Sequence, residues 1–344
     1  MIFIVICCFL GIKKTASRIL FLFFWCSLAI SAALAQPDPL PSWTAGEAKQ
    51  SIVKFVSAVT ESGGRDYVPP SERIAVFDND GTLWSERPAS VETRFILDQI
   101  QAHRPRLIKA KSRSWLLAAL RNDVDSILEA GELAFVELTM ATHVDRTTDE
   151  FDKVVKDWLA TAKHPHFRRP YTDCTYQPMM ELMNYLRANG FKTYIVSGGG
   201  ADFVRCFSES IYGVPPEQVI GTVIKLRFAL RDRKPVLVRM PKVNFVDNKA
   251  GKPVAIFEHT GRRPIAAFGN SDGDLEMLQW VTSGPGARFG LLVHHDDADR
   301  EFAYDRISRI GKLDKALDEA KTRGWTVISM KNDWNNVFSF SPPY

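Results

Sequence analysis

RIAVFDNDGTL, residues 73–83, is the stretch on which the reading of this chain turns. Residues 73–77 are nearly continuous in apolar character, as in a strand buried on both faces of a parallel sheet. The run breaks off in Asp78-Asn79-Asp80-Gly81-Thr82. Asp and Gly are ordinary turn residues. Two carboxylates two residues apart at the end of a buried strand nevertheless repel each other unless a cation or a proton intervenes. An ionised Asp is a competent covalent nucleophile, and a second acid can protonate a leaving group and later activate water.

Two further apolar runs end in the same manner. Thr193–Val196 stops at Ser197-Gly198-Gly199-Gly200, and Ile265–Phe268 stops at Gly269-Asn270-Ser271-Asp272-Gly273-Asp274. Ser197 and the glycines offer a hydroxyl and backbone N–H groups to an anion, the more so with a helix read over 202–210. No histidine–acid pair accompanies Ser197, which argues against a serine hydrolase. Asn270, Asp272 and Asp274 carry the oxygen ligands that a hard cation such as Mg²⁺ prefers. Ligands of open α/β sheets bind beyond the carboxyl ends of the strands, so the three loops are expected to converge.

The rest of the chain fits that frame. Helical spacing covers 47–60, and residues 88–172 read as helical almost throughout, with a Thr147/Glu150 capping box. A helix follows with Pro178 at its first position, Met180, Met183 and Leu186 on its apolar face and Gly190 just past its end. An antiparallel excursion over 222–238 turns near 231–234, and a short helix is expected after Pro253. A strand at 289–293, a helix at 313–320 and a strand at 325–329 close the chain. The fold class is α/β: a Rossmann-like three-layer core of mostly parallel sheet over 36–87 and 173–344, with a helical cap inserted at 88–172.

The 344 residues are 45% hydrophobic and 24% charged, which excludes collagen-like, disulfide-stapled and largely disordered chains. Lys13, Lys14 and Arg18 precede the apolar run 19–32, and Ala33-Leu34-Ala35 follows it. This pattern predicts a secretory signal over 1–35, cut before Gln36. The run is short of the roughly 20 residues of a membrane span, so a periplasmic or secreted protein with no stable membrane association is expected. Beyond residue 35, 41 basic residues face 40 acidic ones, which gives no support for a nucleic-acid partner. Of five cysteines only Cys174 and Cys206 lie beyond the signal, and their pairing is left open.

The arrangement resembles the haloacid dehalogenase (HAD) superfamily. FDNDGTL (77–83) is similar to its first motif, IVSGG (195–199) to its second and GNSDGDLEM (269–277) to its fourth, in the family's order. SGGGADFV (197–204) and YGVPPEQVIG (212–221) look most like the phosphoserine-phosphatase-like branch, whose helical cap follows the first motif. The likeness covers nearly all of the chain after residue 70.

That resemblance implies a Mg²⁺-dependent phosphomonoester hydrolase acting on a small-molecule phosphate ester. Asp78 would attack phosphorus, and Asp80 would be the general acid/base and lend its backbone carbonyl to the metal. Ser197 and the Gly198 N–H would hold phosphoryl oxygens. Lys252, before Pro253, corresponds to the family's third motif, with Lys249 the other candidate. Asp78, Asp80, Asn270 and Asp274 form the implied metal set. Asn270 departs from the pattern, since it stands where an Asp is usual, and Asp272 is an additional carboxylate able to take its place. Glu86 lies where related enzymes bind a substrate amine. A phosphotransferase or mutase, and a non-catalytic binding protein on the same fold, are the alternatives. His164, His166 and His294–Asp297 read as exposed loop residues, and Arg168-Arg169 and Arg262-Arg263 as solvated pairs.

Overall fold

Ile74–Phe77 forms a strand whose four residues are all buried at the middle of an eight-stranded sheet. The computed structural model describes residues 38–103 and 114–341. The signal read over 1–35 lies outside the described residues. In chain order, helix α1 (Glu47–Thr60) precedes β1 (Ile74–Phe77). Then come α2 (Val91–Ala102), α3 (Ser114–Leu120), α4 (Val124–Ala130), α5 (Glu132–His143) and α6 (Thr148–Leu159). They lead to α7 (Gln177–Ala188), β2 (Lys192–Gly200), α8 (Ala201–Arg205), α9 (Ser208–Tyr212), β3 (Val219–Arg231) and β4 (Lys234–Phe245). The last part holds α10 (Gly251–Thr260), β5 (Ala266–Gly269), α11 (Leu275–Thr282), β6 (Phe289–Asp296), β7 (Ala303–Tyr304), α12 (Lys315–Arg323), β8 (Thr326–Ser329) and α13 (Met330–Asp333).

The strand order is β4-β3-β2-β1-β5-β6-β7, with β8 also paired to β6. β1 runs parallel to both β2 and β5, and Phe77 is in register with Ile195 on one side and Phe268 on the other. That register sets three polar loops side by side. The alternation of side chains along β1 builds two cores. Ala75 and Phe77 join a cluster with α1, α2, α6 and α7, while Ile74 and Val76 join one with α10, α11 and α12. The sheet is thereby covered on both faces, as a central parallel strand requires.

From Leu40 onward the described residues form one compact unit. Phe95 of α2, Leu138 of α5 and Phe151 of α6 belong to the same apolar cluster as β1, and the rings of Phe95 and Phe203 lie 5.4 Å apart. No helix of the described residues is long and apolar enough to cross a membrane.

Several local expectations are corrected. Pro178 occupies the second position of α7, not the first, and Met179, Leu182, Met183 and Leu186 are its buried face, with Met180 half-buried. The helix read over 202–210 is two single turns, α8 and α9. The helix expected after Pro253 begins before it, because proline is tolerated in a first turn where its missing N–H is unneeded. His164 and His295 are buried. His164 Nε2 lies 2.7 Å from the Arg87 carbonyl oxygen, and its Nδ1 faces the N–H groups of His166 and Phe167. Cys174 and Cys206 are both free thiols.

Candidate active site

The carboxyl ends of β1, β2 and β5 open into a cavity of about 300 Å³ that Asp78, Asp80, Glu86, Gly198, Lys252 and Asp274 help to line. Lys252 organises its floor from the first turn of α10. Its Nζ donates to Asp78 Oδ1 (2.6 Å), Asp274 Oδ1 (2.7 Å) and the Val196 carbonyl (2.8 Å), so all three ammonium hydrogens are placed. Burial works against its charge, but Asp274 and Asp78 more than offset this and hold the ammonium above its ordinary value. Lys249 is exposed, with φ +51°, and is not part of the cluster.

Burial and the Asp274 carboxylate push Asp78 up to about 8, against the pull of Lys252. Asp80 is also raised by burial, while the Trp84 indole donates to its Oδ1 at 2.7 Å. Ser197 is buried, and its Oγ accepts the Gly199 N–H at 3.1 Å. Gly200 N donates to Glu92 Oε2 at 2.7 Å, so two of the N–H groups expected to meet an anion have partners inside the protein.

Around the third strand end the acids divide their tasks. Asp274 accepts Lys252 on Oδ1 and the N–H groups of Asn270 and Ser271 on Oδ2. It therefore ties the loop to the lysine. Asn270 is buried between two loops: Thr82 Oγ1 donates to its Oδ1 (3.2 Å), and its Nδ2 donates to Glu86 Oε1 (2.8 Å). Asp272 is turned elsewhere. Its Oδ1 accepts the N–H groups of Asp314 and Ala316, capping α12. Glu86 also accepts from Tyr304 Oη at 2.9 Å, and burial, then Asp80, push it well above the usual carboxylate range. A substrate amine would compete with both donors for that oxygen.

Glu92 and Asp247 are buried acids near Lys252 that the sequence does not single out. Glu92, in the first turn of α2, lines the cavity, and burial pushes it up to about 7. An acid in a first turn after a Ser90 cap is common for dipole reasons alone, so nothing in the sequence marked it. Asp247, before α10, is fully buried with neither carboxylate oxygen hydrogen-bonded, and burial pushes it up to about 7 against the pull of Lys252.

Among the described residues no three His, Cys, Asp or Glu side chains converge as a metal site. The wider donor set of Asp78, the Asp80 carbonyl and the Asn270 amide is made of hard oxygens. Five carboxylates line the cavity (Asp78, Asp80, Glu86, Glu92 and Asp274), while Lys252 is the one basic side chain among its described lining residues. Such hard oxygen donors fit a hard cation such as Mg²⁺.

A family model described as haloacid dehalogenase-like hydrolase matches residues 75–279. The comparison with curated proteins gave no match. The fold is similar to that of a conserved functionally unknown protein from Anaerococcus prevotii DSM 20548, with TM-score 0.54 and 17% identity over 85% of this chain and 96% of that one. A protein with unknown function from Bordetella pertussis Tohama I has TM-score 0.47 and 15% identity, over 75% and 98%. A phosphoserine phosphohydrolase-like protein from Francisella tularensis subsp. tularensis SCHU S4 has TM-score 0.42 and 14% identity, over 77% and 96%. At 17% identity the Anaerococcus prevotii protein speaks to fold alone. The family model, in contrast, spans more than half of the chain and takes in all three strand-end loops together with Lys252, and by that match the chain belongs to the haloacid dehalogenase-like hydrolases.

Proposed function

We propose that this protein is a Mg²⁺-dependent phosphomonoester hydrolase that acts on a small phosphorylated metabolite through an aspartyl-phosphate on Asp78. One observation carries the reading: Asp78 lines the cavity with one carboxylate oxygen on Lys252, and Asp80 lines the same cavity two residues on. In the first step Asp78 attacks phosphorus, the ester P–O bond breaks, and the leaving oxygen takes a proton from Asp80. In the second, Asp80 takes a proton from water as the water oxygen attacks phosphorus. The bond to Asp78 then breaks, which restores its carboxylate and releases inorganic phosphate. A raised pKa suits Asp80 to carrying that proton.

Lys252 orients Asp78 and offsets charge between it and the phosphoryl group. Ser197 and the Gly198 N–H are assigned to phosphoryl oxygens on the family resemblance. Asp78, the Asp80 carbonyl and Asn270 would hold Mg²⁺, with Asp274 orienting the loop. Bound there, the ion supplies positive charge that lets a phosphate dianion approach the carboxylates.

Turnover of p-nitrophenyl phosphate by the purified protein, with and without Mg²⁺, tests the reading; no turnover in either condition overturns it. The N-terminal pattern supports export to the periplasm or beyond. Sequencing of the mature protein is expected to start at or near Gln36, and an intact chain recovered from the cytoplasm counts against export.

A further inference from the structure

His295, in β6, reaches the turn that carries Asp80. Its Nε2 lies 2.8 Å from the Gly81 carbonyl oxygen and its Nδ1 3.2 Å from Glu301 Oε2. A carbonyl only accepts, so Nε2 carries a hydrogen. Glu301 accepts from Tyr176 Oη (3.1 Å) and Ser85 Oγ on one oxygen and from Phe302 N (2.7 Å) on the other. These contacts fix the Glu301 carboxyl group against the imidazole. The Tyr304 ring stacks on the imidazole at 4.3 Å and limits its rotation.

Gly81 is thereby held at both ends. Its N–H donates to the Trp84 carbonyl at 2.9 Å, and the Trp84 indole in turn holds Asp80 Oδ1. A buried polar pair of this kind is weak ground for stability, since an apolar replacement often serves as well. Its value here lies in what it orients. We propose that His295, held by Glu301, is a positioning residue that sets the Asp80–Trp84 turn and so aims the Asp80 proton at the leaving group. The proposal rests on the phosphatase reading above.

The test compares kcat/KM for phenyl phosphate and p-nitrophenyl phosphate in wild type, His295→Leu and His295→Gln. Phenolate is the poorer leaving group and depends more on a proton. The ratio of the two values does not change with the fraction of folded protein. His295→Leu is expected to lose about tenfold more on phenyl phosphate than on the nitro ester. His295→Gln, whose amide can donate to the Gly81 carbonyl, is expected to restore most of the ratio. Equal losses on both esters, or no loss, overturn the proposal alone. Wild-type protein that hydrolyses neither ester overturns the phosphatase reading, and the proposal with it.

Discussion

Lys252 meets Asp78, Asp274 and a strand carbonyl at once, so the position of Asp78, the proposed nucleophile, depends on one ammonium group. Asp78→Asn keeps the size of the side chain and removes its charge. Turnover of p-nitrophenyl phosphate is expected to fall by more than about a thousandfold, with the circular dichroism spectrum unchanged. Near-wild-type rates in this variant would rule out Asp78 as nucleophile. The third strand end makes a sharper distinction. Asn270→Asp adds a negative charge beside the other oxygens and is expected to lower the Mg²⁺ concentration for half-maximal activity. Asp272→Ala uncaps α12 and is expected to lower stability by about 1 kcal/mol with the Mg²⁺ requirement unchanged. A Mg²⁺ titration of the two variants checks both statements.

At the scale of elements, the turn after β1 is shaped by a position that only glycine fits. Gly81 has φ +75°, and a Cβ there would collide with Asn270 Nδ2. Gly63 has φ +81° and nothing within 4 Å of its would-be Cβ, so it isolates the backbone term. Gly63→Ala is expected to cost about 1–2 kcal/mol in urea denaturation. Gly81→Ala is expected to cost more and to abolish turnover, since Asn270 and Glu86 must move. Equal stability losses at the two sites would mean that the loop yields freely.

Across the whole molecule, the helices after β1 and the sheet share one apolar cluster. Calorimetry is accordingly expected to show a single unfolding transition for residues 36–344; two separated transitions would mean that the helical segment folds on its own. Glu92 couples that segment to the sheet through Gly200. Its folded pKa, about 7, lies above the ordinary 4.5 because burial disfavours the charged form. The group's contribution is therefore complete below the ordinary carboxylate value and is lost as pH rises through 7. Glu92→Gln mimics the protonated acid. It is expected to melt above wild type at pH 8, with the two curves meeting near pH 4.5, and melting temperatures across that range check the sign.

Much of the architecture was legible locally. β1 shows as an unbroken apolar run because both of its faces are covered, and the Thr147/Glu150 capping box forms with both of its hydrogen bonds because it involves neighbours three residues apart. Period and turn chemistry also placed the three loops at strand ends, since these are properties of a few consecutive residues. What the sequence left open concerned direction and distance. Lys252 reaches the floor of the cavity and Lys249 does not, because α10 begins early enough to aim the former inward. Asp272 caps a helix more than 40 residues away, and Glu92 meets the end of β2, 108 residues along. His295 meets Gly81 across 214 residues. Residue type and spacing determined which groups were available to the site; the packing of distant segments decided which of them face it, because side-chain direction is set by neighbours that lie far away along the chain.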